Sequence, residues 1–397
     1  MRVSFIGAHQ RMVDAIMTQQ ATLAKTQQQV ALGQRVITPS DDPVAAVRIL
    51  GLEKTLAESA QYGRNADIAT SRLQFEEQAL ADAGNVLDRV RELLIEANSA
   101  AVDDKGRSMI AAEVEARIAE LEAIANRRDA GGEYLFAGFS TLSQPFVRSG
   151  ASVLYQGDQG VRLQQVGPSQ TVADGHSGAE VFGRIMTGNG TFVVAADPAN
   201  TGSATLSTDS VTNAAAWVPG DYRIVFTSAT AWEVRDAASA VVASGAYEGS
   251  GTIEFNGARI VLAGQPVAGD AFDVRPAGNE DIFTTLQDAV TALRSSTATP
   301  AGRVQFNAAA AAAIRQLETA GDHFLNVRAD VGARLAVLDA VADTRADLEV
   351  ELETEVGKLR DVDYAEAVSR MTRQYTALQA AQQSYVRYSQ LSLFDYL

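Results

Sequence analysis

Gly33-Gln34-Arg35-Val36-Ile37-Thr38-Pro39-Ser40-Asp41-Asp42-Pro43-Val44 decides how this chain is read. Gly33 suits the break after a first helix. Asp42 suits an N-cap and Pro43 the first position of a second helix. Adjacent acids also raise a Ca²⁺ or Mg²⁺ site, but no further Asp or Glu follows until Glu53. Ca²⁺ takes six to eight oxygens, so capping is the favoured reading.

Proline and glycine divide the rest. No proline lies in 44–144 or 301–397, and 21 of the 31 glycines lie between Gly131 and Gly278. Proline costs about 3 kcal/mol inside a helix and glycine about 1 kcal/mol. Two long flanks that avoid proline around a glycine-rich middle predict helix, then turn-rich β, then helix.

Both flanks carry heptad spacing, which keeps one stripe toward a partner helix. Met12, Ile16, Gln19, Leu23, Thr26 and Val30 form one stripe, and Leu80, Ala83, Leu87, Val90 and Leu94 another. Tyr364, Val368, Met371, Tyr375, Leu378, Gln382 and Tyr385 form a third. A fourth, from Leu335 to Leu359, places charge at Arg345 and Glu349, which predicts a weaker seam or a change of partner there. In the middle, Tyr222–Phe226 reads as a strand. Thr252–Phe255, Asn256-Gly257 and Ala258–Leu262 read as a hairpin with a type I′ turn. Trp217 and Trp232 are expected to anchor that core rather than form a binding platform.

The predicted fold is α+β: an elongated antiparallel coiled-coil helical rod formed by both chain ends, with an inserted all-β domain. The expected domains are 1–42 with 361–397 as terminal coiled-coil helices, 43–134 with 281–360 as a helical rod, and 135–280 as the β-rich insertion.

Composition narrows the function. With 33 Lys and Arg against 49 Asp and Glu, the formal net charge is −16, which argues against nucleic acid and anionic membrane as partners. There is no Cys, excluding disulfides, thiolate nucleophiles and Cys-ligated metals. No apolar run is long enough to span a bilayer. The first 30 residues contain no continuous apolar core and no clear cleavage site, so a cleaved secretory signal is not expected and export would use another route. His9, His176 and His323 lack metal-ligand spacing and read as structural or solvated. Glu76-Glu77 reads as a solvated helix face, Gly188-Asn189-Gly190-Thr191 as a turn, and Ala308–Ala313 as a strong helix former. No catalytic constellation, cofactor site or metal site emerges, and the chain is not expected to be an enzyme.

The two ends are acid-poor in an acidic protein and rich in Gln, Ser and Thr. Each has a narrow apolar stripe and a polar back. Such helices order best against several neighbours in an assembly, though an ordinary intramolecular pair accounts for the same pattern. The candidate assembly seam is Met12, Ile16, Leu23, Val30, Val368, Met371, Tyr375, Leu378 and Tyr385.

Residues Ala31–Ala46, with Gly33, Arg35, Pro39, Ser40, Asp41, Asp42 and Pro43 as the characteristic positions, resemble the amino-terminal signature of the flagellin superfamily. The prolines around Ser40 resemble its hook-associated branch more than flagellin proper. Gly132–Gly138, Gln144-Pro145-Phe146 and Tyr155–Asp158 resemble that branch's helix-to-β transition. Gly264–Phe272 resembles a β-hairpin segment of hook-associated proteins. Arg328–Leu335 and the end Leu391–Leu397 complete the match. Residues 185–260 match no family pattern and are read only as β. The resemblance implies an extracellular structural component of the bacterial flagellum, exported unfolded through the flagellar type III route and assembled as a ring between hook and filament. Implied partners are hook-associated protein 1, flagellin, further copies of the chain and an export chaperone on the carboxy-terminal helix. A filament subunit, or a secreted adhesin or enzyme using the β insertion, are the alternatives.

Overall fold

The computed structural model describes residues 5–99 and 101–394. Helix α1 (Phe5–Leu32) ends where Gly33 turns left-handed at φ +72°. Helix α2 (Pro43–Ala97) starts after Asp42, whose Oδ1 accepts the Ala45 N–H at 3.0 Å, and continues for 55 residues. Helix α2 ends at Ala97, inside the proline-free flank. Helix α3 (Asp104–Ala125) then begins on the Asp103 carboxylate, which accepts the Gly106 N–H. The β segment carries β1 (Phe146–Ser149), β2 (Ser152–Tyr155), β3 (Leu163–Gln165), β4 (Thr171–Ala173), β5 (Ile185–Met186), β6 (Phe192–Ala196) and β7 (Thr205–Val211). It continues through β8 (Tyr222–Ser228), β9 (Ala231–Asp236), β10 (Val241–Ala246), β11 (Ser250–Phe255), β12 (Ala258–Ala263), β13 (Ala271–Pro276) and β14 (Asn279–Glu280). Helix α4 (Ile282–Arg294) follows, then the 61-residue α5 (Pro300–Arg360) and α6 (Tyr364–Phe394). Helices from both chain ends thus flank an all-β insertion, as the proline and glycine pattern predicts.

The chain forms two compact units. One comprises residues up to Arg64 and from Ala340 onward, and the other comprises Asn65–Asp339.

Within the larger unit, two antiparallel sheets enclose one core. The five-stranded sheet runs β10-β9-β8-β13-β6 and the three-stranded sheet β11-β12-β7. Ile224, Phe226, Val234 and Phe272 from the first meet Ile253, Ile260 and Leu262 from the second. The predicted hairpin is β11 and β12, joined by Asn256 at φ +45° and Gly257 at φ +76° as a type I′ turn requires. Trp232 is buried and donates Nε1–H to the Ala246 carbonyl, while Trp217 packs on Phe192 and Tyr222. Both are core residues. Gly264–Phe272 is not a hairpin: β12 and β13 belong to different sheets, so the segment is a corner that switches between them. Left-handed Gly264 and Gly269 turn it, and the buried Asp270 carboxylate holds it by accepting the Thr201, Gly202 and Val267 N–H groups.

The helical part of this unit buries the expected stripe Leu80, Ala83, Leu87, Val90 and Leu94 on α2. An aromatic cluster joins it to the start of the β segment. Phe182, on the π-helical turn Ala179–Gly183, has its ring centroid 5.1 Å from Phe136, 5.4 Å from Phe146 and 5.6 Å from Phe324.

A buried charge network lies alongside. Arg72 on α2 donates to Asp129 (2.5 Å) and to the carbonyls of Tyr134 and Leu135. Arg162 bridges Glu133 (2.8 Å) and the buried Asp174 (3.1 Å). His176 sits between α2 and α5, with Nδ1 2.8 Å from Glu76 and Nε2 2.9 Å from Asp330. Asp330 also lies 2.5 Å from the Arg334 guanidinium, which itself comes within 2.9 Å of His176 Nε2, so one carboxylate serves both side chains. Glu76 is only 2% exposed, which corrects the solvated-face reading. It occupies the seam position between Leu73 and Leu80, and a carboxylate there requires an ionic partner. Glu77 is paired too, with Arg328 at 2.7 Å.

Burial pulls the His176 pKa down, but Glu76 and then Asp330 outweigh it against the Arg334 charge, so the imidazole titrates above its ordinary 6.5. A raised folded pKa contributes stability that is complete below pH 6.5 and lost as pH rises through the folded value. His176→Gln is therefore expected to destabilise this unit more at pH 5.5 than at pH 9, read from urea unfolding midpoints at both pH values. Equal losses would show that His176 is neutral in the fold. Phe182→Ala is expected to cost about 3–5 kcal/mol in the same measurement.

Candidate assembly surface

The smaller unit is built on two antiparallel helix pairings. Between α1 and α6, His9 contacts Tyr385, Gln19 Nε2 reaches the Gln374 carbonyl at 3.5 Å, and the Val362 N–H donates to the Gly33 carbonyl at 2.9 Å. On α1 the stripe Met12, Ile16, Gln19, Leu23, Thr26 and Val30 is wholly or partly buried, with Leu23 and Thr26 deepest. On α6 the less exposed positions include Ala367, Met371, Gln374, Leu378, Ala381 and Tyr385. Met371, Leu378 and Tyr385 are the candidates that this seam takes up. It places Ala367 and Gln374 one residue before the larger Val368 and Tyr375. Those two flank the seam and stay 45% and 53% exposed, with Tyr364 and Val386 also exposed on the same helix.

The segment from Gly33 to Pro43 ties the α1–α2 connection to the α5–α6 connection. A side chain at Gly33 would need a left-handed backbone, with its Cβ 2.9 Å from the Tyr364 hydroxyl. The Arg35 N–H donates to the Arg360 carbonyl at 2.6 Å, and its guanidinium bonds the Leu359 carbonyl (2.8 Å) and Asp42 (3.1 Å). Gln34 and Asp361 pair as an antiparallel bridge. Asp41 accepts the Ile37 and Thr38 N–H groups and pairs with Lys25 at 2.5 Å. Lys25 and then the Thr38 N–H hold the Asp41 carboxyl well below the usual carboxylate range. The Ala45 N–H, then Arg35, lower Asp42. Both acids are thus occupied by capping and ion pairing, as the sequence favours. Pro39 and Ser40 are exposed, the Ser40 hydroxyl 2.8 Å from that of Thr38. Val36 is buried with Ala45, Ile49 and Val356, closing a small core beneath the turn.

The charged seam positions of α5 also find partners on α2. Glu349 accepts the Ser59 hydroxyl at 2.9 Å, and the Arg345 guanidinium occupies the space that a side chain at Gly63 would fill. A glycine and a serine on the facing helix accommodate the two charges, so α5 keeps its partner.

The other family-like motifs converge in the larger unit. Gly138 is left-handed beside Asp158, whose carboxylate accepts the Phe139 and Gly160 N–H groups and the Ser140 hydroxyl. Tyr155 donates to the Asp158 carbonyl at 2.6 Å. In Arg328–Leu335, Arg328 pairs Glu77, Asp330 and Arg334 flank His176, and Val331 is fully buried. Residues 395–397 of the last motif lie outside the described residues.

Known proteins match this arrangement. The profile of the bacterial flagellin N-terminal helical region matches residues 3–141, and that of the flagellin C-terminal helical region matches 314–397. The D2-like domain of flagellar hook-associated protein 1 matches 195–276, which takes in residues 195–260, where the sequence shows no family pattern, and the Gly264–Phe272 segment. FlgL from Xanthomonas campestris is 35% identical, with a TM-score of 0.71 over 77% of this chain and 99% of that one. The flagellar junction protein FlgL from Legionella pneumophila is 31% identical, with a TM-score of 0.71 over 79% of this chain and 99% of that one. Flagellar hook-associated protein 3 of Salmonella typhimurium is 30% identical over 187 residues, 47% of this chain and 58% of that protein. Helices from both chain ends around a β insertion, with both flagellin regions matched, are the fold of a flagellin-type component of the bacterial flagellum. Within that superfamily the chain belongs to the family of flagellar hook-associated protein 3, FlgL. Its place is the extracellular flagellum, and among the described residues no helix is long and apolar enough to cross a membrane.

The two kinds of α6 position are expected to behave differently. Leu378→Ala should cost about 2–5 kcal/mol of the terminal pairing. Tyr375→Ala should stay within about 0.5 kcal/mol. Thermal loss of helical circular dichroism checks both.

Proposed function

We propose that the chain is the junction between hook and filament, a mechanical adapter without chemistry of its own. Membership of the FlgL family carries this reading, together with terminal helices that keep Val368, Tyr375 and Tyr364 exposed beside an already formed seam. In this reading the terminal segments, 1–42 and 361–397, form the layer between subunits. Residues 43–134 with 281–360 form the rod, and 135–280 face outward. Copies stand side by side in a ring. Hook-associated protein 1 meets one end of the ring and flagellin the other, and an export chaperone covers the carboxy-terminal helix before secretion.

Apolar side chains on a helix back contribute about 25 cal/mol per Å² once a neighbour covers them. A ring multiplies that small term by the number of subunits. The contact between unlike proteins is heterologous, so it can be renewed around the axis without a two-fold constraint.

Deleting the gene is expected to leave cells with hooks but no attached filaments, and with flagellin released into the medium. Attached filaments in the deletion strain would overturn the reading. Complementation with Tyr375→Asp is expected to give a folded, secreted protein that does not retain filaments, seen by electron microscopy and by immunoblot of the medium.

A further inference from the structure

Two features of the larger unit are left uncovered by the described residues. The first is a displayed apolar loop. Phe139 is 65% exposed and Leu142 is 83% exposed, yet the loop between them is fixed. The Phe139 N–H and the Ser140 hydroxyl are both held by Asp158, and Thr141 is buried. The Phe139 ring packs on Gly160, in the space a side chain there would take. A large aromatic held at the surface on a rigid loop has already lost its conformational freedom, which favours its use as an anchor.

The second feature is an open groove of about 390 Å³ between the sandwich and α5. Val193 and Ala195 of β6 line one side, and Val304, Ala308 and Ala312 of α5 line the other. The Ala308–Ala313 run makes the gap, because methyl side chains on α5 do not reach the strands. Ends of the contact are nonetheless fixed. Gln305 donates to the Pro198 carbonyl at 2.7 Å, and Thr319 to the Gly188 carbonyl at 3.1 Å. Arg315 closes the groove. Its guanidinium faces Asp209 and reaches the Leu206 carbonyl only at 3.5 Å. An apolar cavity of about 150 Å³ holds a benzene ring, so this groove has room for a phenylalanine and a leucine side chain together. A guanidinium at its end also suits the face of an aromatic ring.

We propose that the Phe139–Leu142 loop of one copy seats in the β6–α5 groove of the next copy. Knob and groove are different surfaces of the same unit, so the contact is heterologous and propagates head to tail until the ring closes. Two side chains bury far less area than a stable dimer needs, so the purified chain stays monomeric and the contact forms only where neighbours are already held side by side. The inference therefore rests on the junction reading above.

The absence of native cysteine makes crosslinking a direct test. Leu142→Cys, Ala308→Cys, the double variant, and a control pairing Leu142→Cys with Ala238→Cys on the exposed β9–β10 turn would each replace the native gene. Retained motility reports the junction function separately from the contact. After oxidation of isolated flagella, the Leu142/Ala308 double variant is expected to give a ladder of covalent multimers. Each single variant should stay monomeric, because its lone cysteine meets no second one across a heterologous contact, and the control pair should give no ladder. Motile cells without a ladder from Leu142/Ala308, or with an equal ladder from the control, would overturn the contact and leave the junction reading intact. As an independent readout, Phe139→Ser should leave the thermal unfolding of the monomer unchanged but increase filament loss under shear. Filament retention equal to wild type would also count against the contact.

Discussion

Antiparallel pairing of sequence-distant helices is the constraint on which the smaller unit depends, and it is locked at the turns. The Gly33 carbonyl accepts from Val362, and Arg35 grips the last carbonyls of α5 through both its backbone and its guanidinium. These bonds set the register of α1 on α6 and of α2 on α5. With that register fixed, Leu23 and Leu378 are buried, and Ser59 and Gly63 lie opposite Glu349 and Arg345. A slip of one residue would move Glu349 and Arg345 away from the Ser59 hydroxyl and the space at Gly63 that accommodate them. Helix propensity alone does not choose between such registers, whereas polar bonds at the turns do.

Much of this was legible in the sequence. Proline and glycine are expensive in helices for local, backbone reasons, so their avoidance marks helical flanks without reference to tertiary structure. Asp42 and Pro43 fix the start of α2 by the same local logic. Asn256-Gly257 sets its turn because both residues tolerate positive φ. What could not be read came from pairing. On α6 the apolar pattern favours Val368 and Tyr375, but close approach to α1 favours the small Ala367, and Gln374 meets Gln19 through its backbone carbonyl. Glu76 has the composition of a solvated face and the position of a core residue. Extending the stripe backward from Leu80 through Glu76 to Leu73 is the signal that would have found it.

The β insertion shows a different limit. Its strands are ordinary alternating sequences, and their sandwich core is assembled from pairings far apart in the chain. Gly264–Phe272 has the turn chemistry of a hairpin, yet its two flanking strands enter different sheets. That choice is made by Asp270, whose carboxylate collects three backbone N–H groups from two separate loops. Before Gly264 the D2-like likeness leaves no short motif and emerges only over the length of the domain.

The chain's charge distribution matches a division of labour. Ionic networks around Arg72 and His176 are internal to the larger unit and brace the start of the β segment against α2 and α5. The terminal helices instead leave apolar side chains exposed, which is costly for a free protein and useful in an assembly. Cryo-electron microscopy of the native hook–filament junction tests this most directly. The account predicts that Val368 and Tyr375 are covered by a neighbouring subunit in the assembled ring. Well-resolved terminal helices with both side chains facing solvent would contradict it.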